Sequence, residues 1–218
     1  MACMTPAKPA VYCLAFTALL CLYLPASGQS TRWLLSFNPL GLLEPKGALG
    51  AGAGVKLNKY VELWSETSLL RTVIYAGDSS LTGIRQIVQI KYFPHGYPDF
   101  FIAAEVRYKT YQYRVGDEFF NPTTSQYLEN YMYTVQRRFF GEALQLGFRR
   151  TLREDMGLFI EFTAGLGIKQ PVFKEKGIPA GYRHSNTDNK NGLEDGITPA
   201  TIYAPGSIRL IWAFGEKL

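Results

Sequence analysis

The chain has 218 residues, of which 47% are hydrophobic, 14% aromatic and 19% charged, and its formal net charge is +5. Aromatic content this high excludes an intrinsically disordered chain, because disordered chains are poor in aromatic residues. After residue 30 the sequence has no apolar run of the length that a transmembrane helix needs. The basic excess is small and spread along the chain, so we expect no nucleic-acid partner.

The first 28 residues predict a cleaved secretory signal peptide. Lys8 is the only charge among them, residues 11–25 are almost wholly apolar, and residues 26–28 are small. A positive start, a short apolar core and a small-residue end are typical of an export signal. All three cysteines of the chain lie inside this segment, so the mature chain, residues 29–218, has no disulfide and no cysteine metal site.

The mature chain alternates between apolar and polar residues with a period of two. In residues 158–169 every even position is apolar, whereas most odd positions hold glycine, threonine or a charged residue. This period is typical of a strand with one apolar and one polar face. The same pattern predicts eight strands, at residues 32–43, 47–57, 60–72, 83–94, 99–114, 137–151, 156–172 and 200–215.

The connections between these strands are unequal in length. Residues 58–59, 95–98 and 153–155 form short turns, whereas residues 115–136 and 173–199 predict two long loops. Short turns at one end and long loops at the other are typical of an outer-membrane barrel. We therefore predict an all-β, eight-stranded antiparallel up-and-down transmembrane β-barrel with both termini on the periplasmic side.

The bulk of the apolar faces indicates which face points outward. Eight bulky faces would overfill the narrow interior of an eight-stranded barrel, so we expect them to face lipid. Aromatic residues also gather near the short-turn ends, where a lipid–water boundary would lie. The polar faces then predict a network of paired charges in the lumen. Its predicted members are Glu62, Glu66, Arg85, Lys91, Glu105, Arg107, Lys109, Glu161, Lys169 and Arg209.

Residues 36–41 read Ser-Phe-Asn-Pro-Leu-Gly and precede a glycine-rich second strand, a turn at residues 58–59 and an acidic third strand. With these features the mature chain resembles the small eight-stranded outer-membrane barrels, among them the OmpA-type transmembrane domain and OmpX-like proteins. More specifically, it resembles an exported-barrel family of unknown function. The resemblance implies residence in the bacterial outer membrane, with membrane lipids and the barrel-assembly machinery as partners, and it implies no known activity.

His184, Ser185 and Asn186, with Glu194 downstream, form the most suggestive group for chemistry. A serine with a histidine base and a carboxylate can act as a nucleophile. The segment resembles the His-x-Ser-Asn pattern of the outer-membrane lipid A deacylases with one residue missing. On a strand, adjacent His and Ser side chains point to opposite faces. We therefore favour a protein without catalysis and keep a lipid hydrolase that uses Ser185, His184 and Glu194 as an alternative.

The sequence favours a small monomeric barrel whose function is structural or adhesive. Its two long loops would bind an extracellular or envelope protein, with Tyr127, Tyr131, Tyr133 and Tyr182 as candidate contacts. A second alternative is a soluble exported barrel that binds an apolar ligand and has its faces reversed. The loop around residues 186–195 is rich in oxygen ligands but lacks the spacing of a calcium loop, so we predict no metal and no cofactor.

Overall fold

The computed structural model describes residues 32–39, 48–71, 81–95, 97, 99–185, 196–197 and 199–214. The predicted signal peptide, residues 1–28, lies outside these ranges. The described part contains eleven strands and no α-helix: β1 (Arg32–Asn38), β2 (Ala48–Lys56), β3 (Val61–Arg71), β4 (Thr82–Tyr92), β5 (Phe100–Asn121), β6 (Gln126–Arg153), β7 (Leu158–Lys176), β8 (Arg183–His184), β9 (Gly196–Ile197), β10 (Thr201–Tyr203) and β11 (Gly206–Phe214). Within these described ranges there is no helix with the length and apolar character that a membrane crossing requires.

Eight of these strands form a closed antiparallel ring. Strands β1 to β7 pair with their neighbours in chain order, and β11 lies between β7 and β1. Trp33 of β1 lies opposite Phe214 of β11 on one side and opposite Val55 of β2 on the other. The prediction of an all-β, antiparallel structure with eight main strands is confirmed. Of the short strands, β8 pairs with β5, while β9 and β10 pair with β7.

Tight turns connect the ring strands at one end. In the β2–β3 turn, Asn58 Oδ1 accepts hydrogen bonds from the backbone N–H groups of Tyr60 and Val61, at 2.8 and 2.9 Å. In the β6–β7 turn, Gly157 has a φ of 59°, a conformation that glycine adopts without steric cost. Its N–H group donates to the carbonyl of Glu154 at 3.1 Å. These turns place the short connections on the same side of the ring.

The prediction of a long loop at residues 115–136 is wrong, because two strands continue through most of it. Strand β5 runs for 22 residues to Asn121, and β6 begins at Gln126, so residues 122–125 make the connection. Strand β7 continues to Lys176, into the second predicted loop. Strands β5 and β6, with their connection at residues 122–125, form a long hairpin that extends beyond the ring. We call this part of the hairpin the hairpin extension.

The hairpin extension has a small hydrophobic core of its own. Phe119, Tyr133 and Val135 are buried there, and half-buried side chains from the segment that follows β7, including Ile178 and Tyr182, pack against them. That segment returns to pair β8 with the edge of β5. A core with strands on both edges makes the extension a folded structure, and not an irregular loop.

Candidate functional site

The outer surface of the ring is mostly apolar, with exposed Glu142 on β6 and half-buried Gln86 on β4 as exceptions. The side chains of Leu144 and Leu166 are 67% and 68% exposed, and they lie directly opposite each other on β6 and β7. The exposed apolar side chains of this surface, which we call the apolar belt, are Trp33, Leu35, Leu49, Leu69, Ile84, Val88, Ile90, Tyr92, Ile102, Val106, Phe140, Leu144, Leu146, Phe148, Phe162, Leu166, Ile168 and Phe214. On β5 the outward apolar positions run from Phe100 to Tyr108, which corresponds to about 27 Å along the strand.

The interior of the ring holds buried charges. The side chains of Lys91 and Glu161 are both 0% exposed, and Lys91 Nζ lies 2.6 Å from Glu161 Oε1. Charged groups are seldom buried unless they are paired, so the ion pair between Lys91 and Glu161 offsets the cost of burying both charges. The linked buried charges, which we call the ion-pair core, are Glu62, Glu66, Arg85, Lys91, Arg149, Glu161 and Arg209.

Glu161 is the hub of the ion-pair core. Its carboxylate accepts hydrogen bonds from Lys91 Nζ at 2.6 and 2.8 Å, from Arg149 Nη2 at 2.8 Å and from Arg209 Nη1 at 3.1 Å. Arg149 also donates to both carboxylate oxygens of Glu62, at 2.8 and 2.7 Å. Such paired hydrogen bonds between a guanidinium and a carboxylate are strong and directional. They tie β3, β4, β6, β7 and β11 together across the interior.

A second branch of the ion-pair core reaches β3 and β4 from β11. Arg209 Nε donates to Glu66 Oε2 at 2.7 Å, and Arg85 Nη2 lies 3.6 Å from Glu66 Oε1. The ring of Trp64 packs on the core, with Lys91 Nζ 4.1 Å from the ring centroid. The ion-pair core therefore contains three carboxylates and four cations, and the ring of Trp64 packs against it.

Glu105 forms a smaller polar cluster beside the ion-pair core. Its Oε2 accepts hydrogen bonds from the side-chain amides of Gln89 and Gln145, at 2.7 and 2.6 Å. Its Oε1 accepts from Arg107 Nε at 2.8 Å. Gln89 Oε1 in turn accepts from Arg209 Nη1 at 3.0 Å, which connects this cluster to the ion-pair core.

The structure brings most of the predicted lumen charges together, but not all of them. Lys109 and Lys169 face inward at a higher level, outside the ion-pair core, and contact aromatic rings. Lys169 Nζ lies 5.7 Å from the ring centroid of Phe139. The predicted set of lumen charges did not include Arg149, which the structure places in the ion-pair core. Arg149 occupies an odd position of β6, as Gln145 does, so the period of two contained the signal.

Above the apolar belt the two faces of the strands exchange polarity. The inward rings of Tyr111 and Phe139 stack with centroids 5.7 Å apart, whereas the outward side chains of Gln112 and Arg114 are exposed. An apolar inner face and a polar outer face are typical of a sheet in water, and the belt shows the opposite arrangement. The exchange occurs near Arg138 on β6, the first charged outward residue above Phe140.

His184 and Ser185, the two residues of the hydrolase alternative that the structure describes, contact separate carboxylates. Both ring nitrogens of His184 contact carboxylates, with Nδ1 2.9 Å from Asp117 and Nε2 3.0 Å from Glu175. Ser185 Oγ donates to Glu118 Oε2 at 3.4 Å. With both nitrogens engaged, the imidazole is not positioned to take a proton from the serine. Glu194 lies outside the described residues.

His184 instead fastens β8 to the hairpin extension. Burial lowers the pKa of His184, but hydrogen bonds to Glu175 and Asp117 outweigh burial and raise the pKa above its ordinary value. Its ring packs against Phe119 and Tyr133, at centroid distances of 4.6 and 5.7 Å. The histidine therefore has a structural setting, between two carboxylates and two aromatic rings.

The four candidate tyrosines have different surroundings. Tyr133 is buried in the hairpin core. The hydroxyl of Tyr131 donates to the carbonyl of Gly177 at 3.1 Å, and that of Tyr182 donates to Gln126 Oε1 at 3.0 Å. Tyr127 is 64% exposed beside the tip of the hairpin. Of the four, Tyr127 is thus the one most available to a partner.

Among the described residues, no group of three or more His, Cys, Asp or Glu side chains is placed to hold a metal ion. The chain matches no family model and no curated protein.

Proposed function

We propose that the chain is a small outer-membrane β-barrel with a structural or adhesive role and no catalysis. The eight-stranded ring is the membrane-spanning part, its short turns face the periplasm, and the hairpin extension stands outside the cell. Its partners are outer-membrane lipids, the barrel-assembly machinery during insertion, and an extracellular or envelope protein at the hairpin tip. The predicted signal peptide supports export, which this location requires.

The inverted polarity of the ring carries the proposal. Leu144 and Leu166 face outward, whereas Lys91 and Glu161 lie buried inside. Such exposed apolar surface is far more extensive than the patches of a few hundred Å² that soluble monomers usually carry. A belt about 25 Å tall with a polar interior is typical of transmembrane barrels. A soluble barrel that binds an apolar ligand would need the reverse arrangement.

The exchange of faces above the belt supports the same location. A strand that leaves the bilayer meets water on its outer face, so polar residues are then favoured outward and apolar residues inward. Strand β5 follows this rule, with exposed Val106 in the belt and buried Tyr111 above it. The level of the exchange marks the outer boundary of the proposed membrane span.

The exposed tip of the hairpin extension is the proposed contact surface. Residues 122–127 are all exposed, and the ring of Tyr127 packs against that of Phe120 with centroids 4.7 Å apart. A tyrosine held by a neighbouring ring loses little conformational entropy when a partner binds. The folded core below it would present this surface at a fixed distance from the membrane.

A gel-mobility experiment on cell fractions tests the proposed function. We expect the protein in the outer-membrane fraction, and we expect unboiled protein to migrate differently from boiled protein, because hydrogen-bonded closure of the strands resists detergent. Recovery in the soluble periplasm without a mobility shift would contradict the proposal. A changed acyl pattern of lipid A in cells that make the protein would contradict the absence of catalysis and revive the hydrolase alternative.

A further inference from the structure

Four cations cluster on the outer face of β5, β6 and β7, immediately above the apolar belt. They are Arg114, Arg138, Lys174 and Lys176, which we call the basic patch. All four are at even positions, the outward positions of these strands, and three are exposed while Arg138 is half-buried. The cluster therefore lies at the level where the faces of the strands exchange polarity.

The strand register brings the four side chains close together. Arg138 is opposite Val172 in the row next to the belt, and Gln136 is opposite Lys174 in the row above. Thr134 joins the two remaining cations in the third row, because it lies opposite both Arg114 and Lys176. With strands about 4.8 Å apart and rows about 7 Å apart, the patch covers about 10 by 14 Å.

The cations of the basic patch have no acidic partners in the described part of the chain. No ion pair there involves Arg114, Arg138, Lys174 or Lys176, and Arg138 Nη2 donates to the neutral Gln136 Oε1 at 3.5 Å. Inside the ring, by contrast, the cations of the ion-pair core are paired with carboxylates. Four like charges this close together favour the binding of an anion.

A groove lies within the basic patch. It has a volume of about 240 Å³ and is lined by Gln136, Arg138, Val172, Phe173 and Lys174. Its walls combine two cations and an amide with apolar side chains. The apolar belt begins directly below the groove. Its first residue on β6 is Phe140, the next outward residue from Arg138 towards the turn end of the strand. A ligand in the groove would thus touch charged and apolar surface at once.

We propose that the basic patch binds the phosphate groups of an outer-leaflet lipid whose acyl chains lie along the apolar belt. This inference rests on the proposed function. The guanidinium of Arg138 offers paired donors that match phosphate oxygens, and the ammonium of Lys174 adds a charge on the adjacent strand. The belt below selects an amphiphile over a free phosphate. A polyphosphorylated headgroup fits a patch of four cations better than a headgroup with one phosphate.

The test compares two double variants of the full mature protein folded in detergent micelles. Arg138→Gln with Lys174→Gln removes the two cations that line the groove. Arg150→Gln with Lys59→Gln is the matched control, because it removes the same charge from exposed positions at the turn end of the ring. The heat-dependent gel shift is measured first for both variants, so that a folding failure is recognised.

Native mass spectrometry then counts diphosphorylated lipid A molecules that stay bound as the micelle is removed. We expect the patch variant to lose about tenfold or more in apparent affinity for lipid A, because each cation near an anionic lipid surface adds separately to the binding free energy. The apparent affinity of the control variant should change less than twofold. Equal binding by wild type and the patch variant, with the gel shift intact, would overturn the basic patch as a lipid site and leave the proposed function standing.

Two further probes distinguish the source of the phosphate and the level of the failure. Inorganic phosphate at millimolar concentration should not displace lipid A; displacement as effective as that by added lipid A would overturn the assignment to an amphiphile. Phosphatidylglycerol, with one phosphate, should bind more weakly than lipid A, and equal binding would overturn the preference for a polyphosphorylated headgroup. Absence of a gel shift in wild type would instead contradict the proposed function itself.

Discussion

Replacement of Glu161 by glutamine is expected to lower the free energy of unfolding by about 3–5 kcal/mol, the usual cost of removing one partner from a buried ion pair. Glu161 accepts hydrogen bonds from Lys91, Arg149 and Arg209, and its side chain is 0% exposed. Glutamine has nearly the same shape but no charge, so three buried cations would lose their shared counter-charge. The measurement is urea unfolding in lipid vesicles, followed by tryptophan fluorescence.

Two control variants make the Glu161 result specific. Glu129→Gln removes a carboxylate from an exposed position of the hairpin extension and should change the free energy by less than about 0.5 kcal/mol. Lys91→Met should destabilise less than Glu161→Gln, because Glu161 would keep two arginine partners and methionine fills similar space. If Glu161→Gln costs no more than Glu129→Gln, the ion-pair core is not a source of stability.

Replacement of Leu144 by arginine is expected to cost about 2–4 kcal/mol in a lipid bilayer, the value for a cation at the middle of a transmembrane barrel surface. Leu144 is 67% exposed and lies among the belt residues of β6. At a water-exposed position the same change would cost almost nothing, since surface substitutions usually have small effects. The measurement is again urea unfolding in vesicles, with wild type and variant compared at the same lipid concentration.

Leu152→Arg is the matched control for the bilayer prediction. Leu152 is 49% exposed on the same strand but lies beside the β6–β7 turn, at the proposed interface. There the cost should fall to about 0–1 kcal/mol, because the penalty for a charge decreases towards the bilayer surface. Equal costs at the two positions would show that their surroundings do not differ in the way that a bilayer requires.

The period of two located the ring strands because burial on this ring alternates residue by residue, although predicted strand 200–215 is divided into β10 and β11 at residues 204–205. Predicted strand 83–94 and observed β4, Thr82–Tyr92, differ by two residues or fewer at each end. Ile87 departs from the alternation, because it is an apolar residue on the polar face of Arg85 and Gln89, and the structure buries it inside the ring. Gln86, also an exception, faces outward, where its hydrogen bonds to Ser65 and Thr67 satisfy its polar group. Local pairing thus explains departures that the periodicity alone could not.

The hairpin extension escaped prediction because its polarity reverses along the same strands. From Phe101 to Arg107 the outward positions of β5 are apolar, whereas from Tyr111 to Val115 the inward positions are aromatic or aliphatic. A search for one continuous apolar face therefore ends at the crossing point and assigns a loop. The fold-back of His184 onto Asp117 and Glu175 was also beyond reach, since it joins residues far apart in the chain.

The charged interior was the most predictable part of the site, but its connectivity was not. Sequence alternation places Glu62 and Glu161 on inward faces, yet it cannot say that Arg149 bridges them. That contact depends on which strands lie across the interior, and therefore on ring closure between β1 and β11. The basic patch depends likewise on the register of three strands, which a single sequence does not reveal.

The most direct test of the central claim is a spin-label scan of residues 140–148 on β6 in lipid vesicles. Residues 29–218 contain no cysteine, so single cysteines introduced into this part of the chain can carry the label without background. We predict high accessibility to oxygen and low accessibility to a water-soluble nickel complex at even positions such as Leu144 and Leu146. Odd positions such as Gln145 should be poorly accessible to both. Even positions that are readily reached by the nickel complex would show that the apolar belt faces water and would contradict the membrane-spanning ring.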